Sequence, residues 1–309
     1  MREITIISAF FNIQRETWKC EWRSEDKYFE QFEYWARLKN NLVVYVENEE
    51  HKRKILNIRK KFGLAEKTRV IVTEKSEQLV PDLYELVSKT SGHKSQIDFH
   101  IDNENPEAWN AKYNYVMILK TWLLKDAVEK GYTSELVAWV DFGFGHGDST
   151  YSSSEEFSFE WNYDFEDKVN MFYLKKPNDR PVFDVVRCGD VYFMGYMFVV
   201  PSHLCNDMWQ VMRSNFITLN KCGLADDDQT ILYMAYLDKP GLFHIEQSGW
   251  FTALKEHGGE HLTLAVGKKE KEGTCGGLKK LVRKLRERKK AVKYALRIYK
   301  YLISNEKWY

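Results

Sequence analysis

No stretch of the chain stays apolar for anything near the roughly 20 residues that a membrane-spanning helix needs. The first twelve residues lack a basic segment followed by an apolar one, and read as a buried strand rather than a secretory signal. Cysteine is sparse. The five residues, Cys20, Cys188, Cys205, Cys222 and Cys275, are odd in number and show no CxxC spacing, which argues against a disulfide framework or a zinc site. Reduced thiols in a cytoplasmic compartment are the expectation. There is no internal repeat, and no strong linker before about residue 266. Net charge is also nearly absent, at +1 over 309 residues.

That balance conceals an asymmetry. Residues 277–309 hold twelve Lys or Arg against two Glu, so this stretch carries roughly +10 and the rest of the chain is near −9. Leu278, Leu281, Leu285, Val292, Leu296, Tyr299 and Leu302 recur at helical spacing within it. The pattern fits a basic amphipathic helix lying on an anionic membrane surface, or one packed on the body or on a partner helix. No nucleic-acid-binding module accompanies the charge, so nucleic acid is not expected as a partner. The expected division is a domain over residues 1–266 and a basic tail over 267–309.

What is present in quantity is aromatic side chains, 15% of the chain. They fill a large core, and they also supply the stacking platforms that sugars and bases need. Residues 3–12, 41–47 and 68–73 are apolar, strand-like runs separated by helical patterns at 24–38 and 50–62. This alternation predicts βαβ crossovers and an α/β fold with a mainly parallel sheet flanked by helices. Residues 111–130 predict a long helix and 135–141 a buried strand ending in Asp141. Residues 90–108 are polar and read as a surface connection, and 143–154 as a flexible Gly/Ser loop. Residues 169–174, 182–187 and 192–200 read as strands, and helices are expected after Pro201 and after the Asp226-Asp227-Asp228 triplet.

Several groups of residues could carry chemistry. Asp141 ends a strand in Trp139-Val140-Asp141-Phe142-Gly143, and ligands of open α/β sheets bind beyond such strand ends. Its carboxylate could hold a divalent cation on a sugar diphosphate, or simply cap the loop that follows. Three adjacent carboxylates at Asp226, Asp227 and Asp228 cap a helix start, with Asp228 and Gln229 also placed to meet a donor sugar or an acceptor hydroxyl. His244 is either a satisfied structural histidine or a cation ligand beside Asp141. Arg15 and Trp18 follow the first strand, where a cation for phosphate and a ring for stacking suit a nucleotide; Lys120 is a further phosphate candidate. Taken singly, each of these charges also reads as a solvated surface group.

Ile6-Ile7-Ser8-Ala9-Phe10-Phe11-Asn12-Ile13 with Arg15 and Trp18, then Lys39-Asn40-Asn41-Leu42-Val43-Val44-Tyr45, Lys120 and Trp139-Val140-Asp141-Phe142-Gly143, together resemble the HtrL/YibB family over about residues 3–255. The resemblance implies a GT-A-like nucleotide-binding sheet and a glycosyltransferase of surface-polysaccharide loci. Its donor would be a nucleotide-diphosphate sugar such as a UDP-sugar, and its acceptor a lipopolysaccharide, capsule or other glycan at the inner face of the membrane. Asp228-Gln229 is similar to the Asp-Gln element of retaining GT-A enzymes, and His244 to their late metal-binding histidine. On that pattern Arg15, Trp18, Lys120, Asp141 and Gly143 bind the donor, Asp141 and His244 hold Mn2+ or Mg2+, and Asp228 and Gln229 are catalytic. One departure stands out: the second carboxylate of Asp-x-Asp is Gly143 here, leaving Asp148 as the nearest replacement. A non-catalytic sugar-nucleotide or glycan-binding protein is the alternative.

Overall fold

Runs rich in Ile, Val, Phe and Tyr form the strands: β1 (Ile4–Phe10), β2 (Leu42–Val46), β3 (Thr68–Val72), β4 (Leu136–Val140), β5 (Val169–Tyr173), β6 (Phe193–Pro201) and β7 (Phe243–Gln247). In the computed structural model, which describes residues 2–18, 23–73 and 75–265 with Val292 and Leu296, they make one sheet in the order β3-β2-β1-β4-β6-β5-β7. Its pairs are parallel except those that β6 makes with β4 and β5. The α/β architecture expected from the sequence is therefore the one the chain adopts.

The helices are α1 (Glu25–Trp35), α2 (Glu49–Lys61), α3 (Pro81–Ser91), α4 (Lys94–Phe99), α5 (Ala111–Glu129), α6 (Val182–Cys188), α7 (Cys205–Lys221), α8 (Asp228–Asp238) and α9 (Ala253–Glu256). Local chemistry sets several starts. The Ser24 hydroxyl accepts from Lys27 N, Asn48 from His51 N and Asn110 from Tyr113 N, each satisfying a backbone donor that the helix itself cannot. Gly131, at φ 67°, lets the chain turn back after α5.

Because side chains alternate across a strand, the central strands feed two cores. Ile7, Val43, Tyr45, Val137 and Trp139 pack on one face with α3, α5, α7 and α8. Ile4, Ile6, Val44, Ala138 and Val140 pack on the other with α1, α2 and the aromatic residues of 142–165. Arg59 locks the second layer: its buried guanidinium donates to the carbonyls of Ala36, Leu38 and Asn40, and burial lowers its pKa to about 10.

Three local expectations are corrected. Residues 182–188 form α6 rather than a strand, because Pro181 sets the helix entry and Gly189 its left-handed exit, while Val185 and Val186 bury one face. Residues 90–108 are not a surface connection. They contain the end of α3, all of α4 and a short 3-10 turn at Pro106–Ala108, with Gln96, His100 and Ala108 buried. Residues 144–149 form a 3-10 turn rather than a flexible loop, anchored by buried Phe144 and, beyond it, Tyr151.

The chain divides into two units, Met1–Leu264 and Ala265–Tyr309. The expected basic helix at 277–309 lies outside the described residues except for Val292 and Leu296, which are helical and exposed. No described helix is long and apolar enough to cross a membrane.

Candidate active site

A cleft of about 540 Å³ opens at the carboxyl ends of β1 and β4. Asn12, Ile13 and Arg15 enter it from the turn after β1, Asp141 and Gly143 from the end of β4, and Gly195 and Tyr196 from the antiparallel β6. Tyr113 and Lys120 reach it from α5, and Asp227, Asp228 and Gln229 from the start of α8. Residues more than 200 positions apart thus meet because the parallel strands end on one edge.

The floor is an ion knot around Lys120, whose side chain is 3% exposed. Its ammonium donates to the Gly195 carbonyl at 2.9 Å and forms ion pairs with Asp141 Oδ1 at 3.0 Å and Asp228 Oδ2 at 2.8 Å. Burial opposes its charge, but the two carboxylates outweigh burial and raise its pKa. Trp139, two residues before Asp141 and so on the same side of β4, donates its indole N–H to Asp141 Oδ1 at 2.7 Å. A Cβ at Gly195 would lie 2.2 Å from Asp228 Oδ2, so glycine is what lets β6 press on that carboxylate. Lys120 therefore acts here as the bond between α5, β4, β6 and α8. To reach a phosphate it would have to give up one of these acceptors.

The acidic triplet is buried throughout. Asp226 accepts from the Thr230 hydroxyl at 2.8 Å and from Asp227 N, while Asp227 caps α8 by accepting from Gln229 N. Burial first, and then repulsion from Glu107 and from the other acids of the triplet, raise the carboxyl pKa values of Asp226 and Asp227; burial also raises that of Asp228 despite Lys120. Gln96 holds the triplet in place by accepting from Ala225 N at 3.1 Å and donating to Ala225 O at 2.7 Å.

One wall is aromatic and cationic. The Arg15 guanidinium donates to the Tyr28 hydroxyl at 2.8 Å and lies over the Trp18 ring at 5.2 Å. Arg23 lies over the Tyr28 ring at 5.0 Å and meets His146 Nε2 at 3.3 Å. Trp250, 46% exposed, and Phe251 also line the cleft; the Phe251 ring lies 4.6 Å from that of His146, and its φ of 62° is unusual for a bulky residue. Arg23 and Tyr28 were not among the residues singled out from the sequence as site candidates. An isolated Arg or Tyr in a polar segment carries no periodic signal, and only the folding of α1 onto this edge collects them.

The structure brings Arg15, Lys120, Asp141, Gly143, Asp228 and Gln229 to one cleft. Trp18 is buried beside it, edge-on to Trp109 and Tyr113 at 5.7 and 5.8 Å, and lines a neighbouring cavity instead. His244 is elsewhere. It lies on β7, three strands from β4, or about 14 Å at the usual strand spacing, and engages Glu246 at 2.8 Å.

The divalent cation expected between Asp141 and His244 does not fit this donor set, because the two residues cannot meet on one ion. Asp141 Oδ1 already receives an ammonium and an indole N–H. A Cβ at residue 143 would lie 2.8 Å from Gln31 Oε1 and 3.2 Å from the Tyr28 ring, so a second carboxylate there would require both side chains to shift. Among the described residues no group of three His, Cys, Asp or Glu is arranged to hold a metal. The side chain of Asp148 is outside the described residues.

Residues 2–257 match the family model described as "Bacterial protein of unknown function (HtrL_YibB)". The chain belongs to the HtrL/YibB family. It is 30% identical to Protein HtrL of Escherichia coli (strain K12) over 263 residues, which cover 80% of this chain and 90% of that one. Among solved structures, one titled "PaToxG Glycosyltransferase" is similar at 14% identity and a TM-score of 0.36, covering 78% of this chain and 71% of that chain. The family's description names no reaction, so activity in this HtrL/YibB chain has to be argued from the cleft.

Proposed function

We propose that this HtrL/YibB-family protein is a glycosyltransferase that moves a sugar from a nucleotide-diphosphate donor, a UDP-sugar, to a hydroxyl of a lipopolysaccharide, capsule or other glycan acceptor. The observation that carries the reading is the half-exposed Asp141 carboxylate at the end of β4, opening into a cleft walled by Arg15, Arg23 and aromatic rings. Phosphate oxygens suit the guanidinium groups, the base and sugar suit the rings, and a reacting hydroxyl suits the carboxylate.

In the transfer, the acceptor oxygen bonds to the anomeric carbon as the bond from that carbon to the diphosphate breaks. The hydroxyl proton passes to Asp141, and the diphosphate leaves as an anion against the arginine wall. Lys120 and Trp139 fix the Asp141 carboxylate, so its orientation is set before substrate arrives. Asp228 acts through the Lys120 knot, and Gln229, partly exposed on the cleft, faces the donor sugar or the acceptor.

The test is UDP release from a panel of UDP-sugars with a glycan acceptor. Asp141→Asn should lower turnover by about a hundredfold or more while thermal melts show the variant still folded at the assay temperature. Near-normal transfer by that variant would remove Asp141 from the reaction. A second reading, a non-catalytic sugar-nucleotide binder, is favoured by the engagement of both cleft-floor carboxylates with one ammonium. It expects donor binding with no UDP released.

A further inference from the structure

The position where a second metal-binding carboxylate would stand is crowded by Gln31 and Tyr28, and the same tyrosine carries both cleft arginines. Its ring lies 3.2 Å from where a Cβ of residue 143 would be. Its hydroxyl takes the Arg15 guanidinium and its face takes Arg23. Gly143 is thus not simply a lost ligand; it makes the space in which an arginine-bearing tyrosine packs. We infer that Arg15 and Arg23, carried on Tyr28 with His146 beside them, form the diphosphate-binding site of the cleft and do the charge neutralisation for which the family resemblance implied a divalent cation.

Charge and geometry both favour this assignment. The guanidinium is always charged and presents a planar fork that matches phosphate oxygens. Stacking of Arg23 on the Tyr28 ring and bonding of Arg15 to its hydroxyl orient the two forks. Of the acids along the cleft, Glu25 is engaged by Lys54 at 3.0 Å and by His51, while Asp141 and Asp228 are engaged by Lys120. Glu16 and Glu107 also line the cleft. The arginine site is therefore built within an acid-bearing wall, and a metal-bridged and an arginine-bound diphosphate predict different metal dependence.

This inference rests on the nucleotide-sugar reading, and calorimetric titration of the full chain separates the two. UDP is titrated with EDTA present and again with Mn2+ or Mg2+. The expected result is binding in EDTA, with affinity changed less than about twofold by either metal. Arg15→Ala and Arg23→Ala should each weaken UDP by about tenfold. Arg23→Lys should fall between, since it keeps the charge and loses the fork. Uridine, which has no phosphate, should be unaffected by all three substitutions. Thermal melts of the variants confirm that each is folded. Binding of UDP only when metal is added overturns the inference and leaves the functional reading standing. Wild-type affinity in the folded double variant overturns it too, because the diphosphate then lies elsewhere. No UDP binding under either condition overturns the functional reading and the inference together.

Discussion

At the scale of single residues, Lys120 decides the character of the cleft. A buried ammonium with two carboxylate partners is costly to remove, because buried Asp228 and half-exposed Asp141 would both lose their counter-ion. Lys120→Met should destabilise the fold by about 3 kcal/mol, read from chemical denaturation. Lys120→Met with Asp228→Asn should recover part of that loss; no recovery would mean that packing, not charge, is what Lys120 supplies. The buried acids give a pH signature of their own. Asp226 and Asp227 have raised carboxyl pKa values, so over the range between the ordinary carboxylate pKa and the raised one the folded state binds more protons than the unfolded. Stability should therefore fall as pH rises from that ordinary range toward neutrality. Asp226→Asn should flatten the slope and stabilise the fold at neutral pH by on the order of 1 kcal/mol. A steeper slope in the variant would contradict this account.

At the scale of elements, what the sequence disclosed and what it hid have separate physical causes. β1, β2, β4 and α5 were legible because each has one unambiguous period and a clear start or stop, such as Asn110 before α5 and Gly131 after it. The V-F-D-V-V run of α6 fits both a short strand and one buried helical face, and only Pro181 and Gly189 decide between them. α4 was hidden because its important side chain is polar. Gln96 looks like a surface residue until the fold sets it against both backbone groups of Ala225. Gln96→Ala should leave two buried backbone groups unpaired and cost about 2–3 kcal/mol, with hydrogen exchange at the start of α8 quickening in step. A change under about 0.5 kcal/mol would mean that the triplet is held by other contacts.

Across the whole molecule, the candidate site was partly legible because strand ends announce themselves. Asp141 and the first turn could be placed on one edge before any coordinates. The distance from His244 could not, because strand order is not written in strand sequence, and the β6–β5–β7 side of the sheet intervenes. Nor could Arg23 and Tyr28, which join the cleft only through tertiary packing. The basic residues 277–309 make a separate expectation, that the chain docks on anionic membranes where a lipid-linked acceptor would be found. The full chain should sediment with vesicles containing anionic lipid and be released by salt, and a chain truncated at Gly276 should stay in solution. Equal sedimentation of the two would move the membrane contact to the body.

The central claim is that the cleft at the ends of β1 and β4 binds a nucleotide-diphosphate sugar. A thermal-shift series against nucleosides, nucleotides and nucleotide sugars tests it most directly. At ligand concentrations near a hundred times Kd, a bound donor should raise Tm by about 5–10 °C for a unit of this size. The expected result is a shift with UDP and UDP-sugars, a much smaller one with uridine, and its loss in the Arg15→Ala, Arg23→Ala double variant. No shift with any nucleotide sugar, or an undiminished shift in the double variant, would contradict the account.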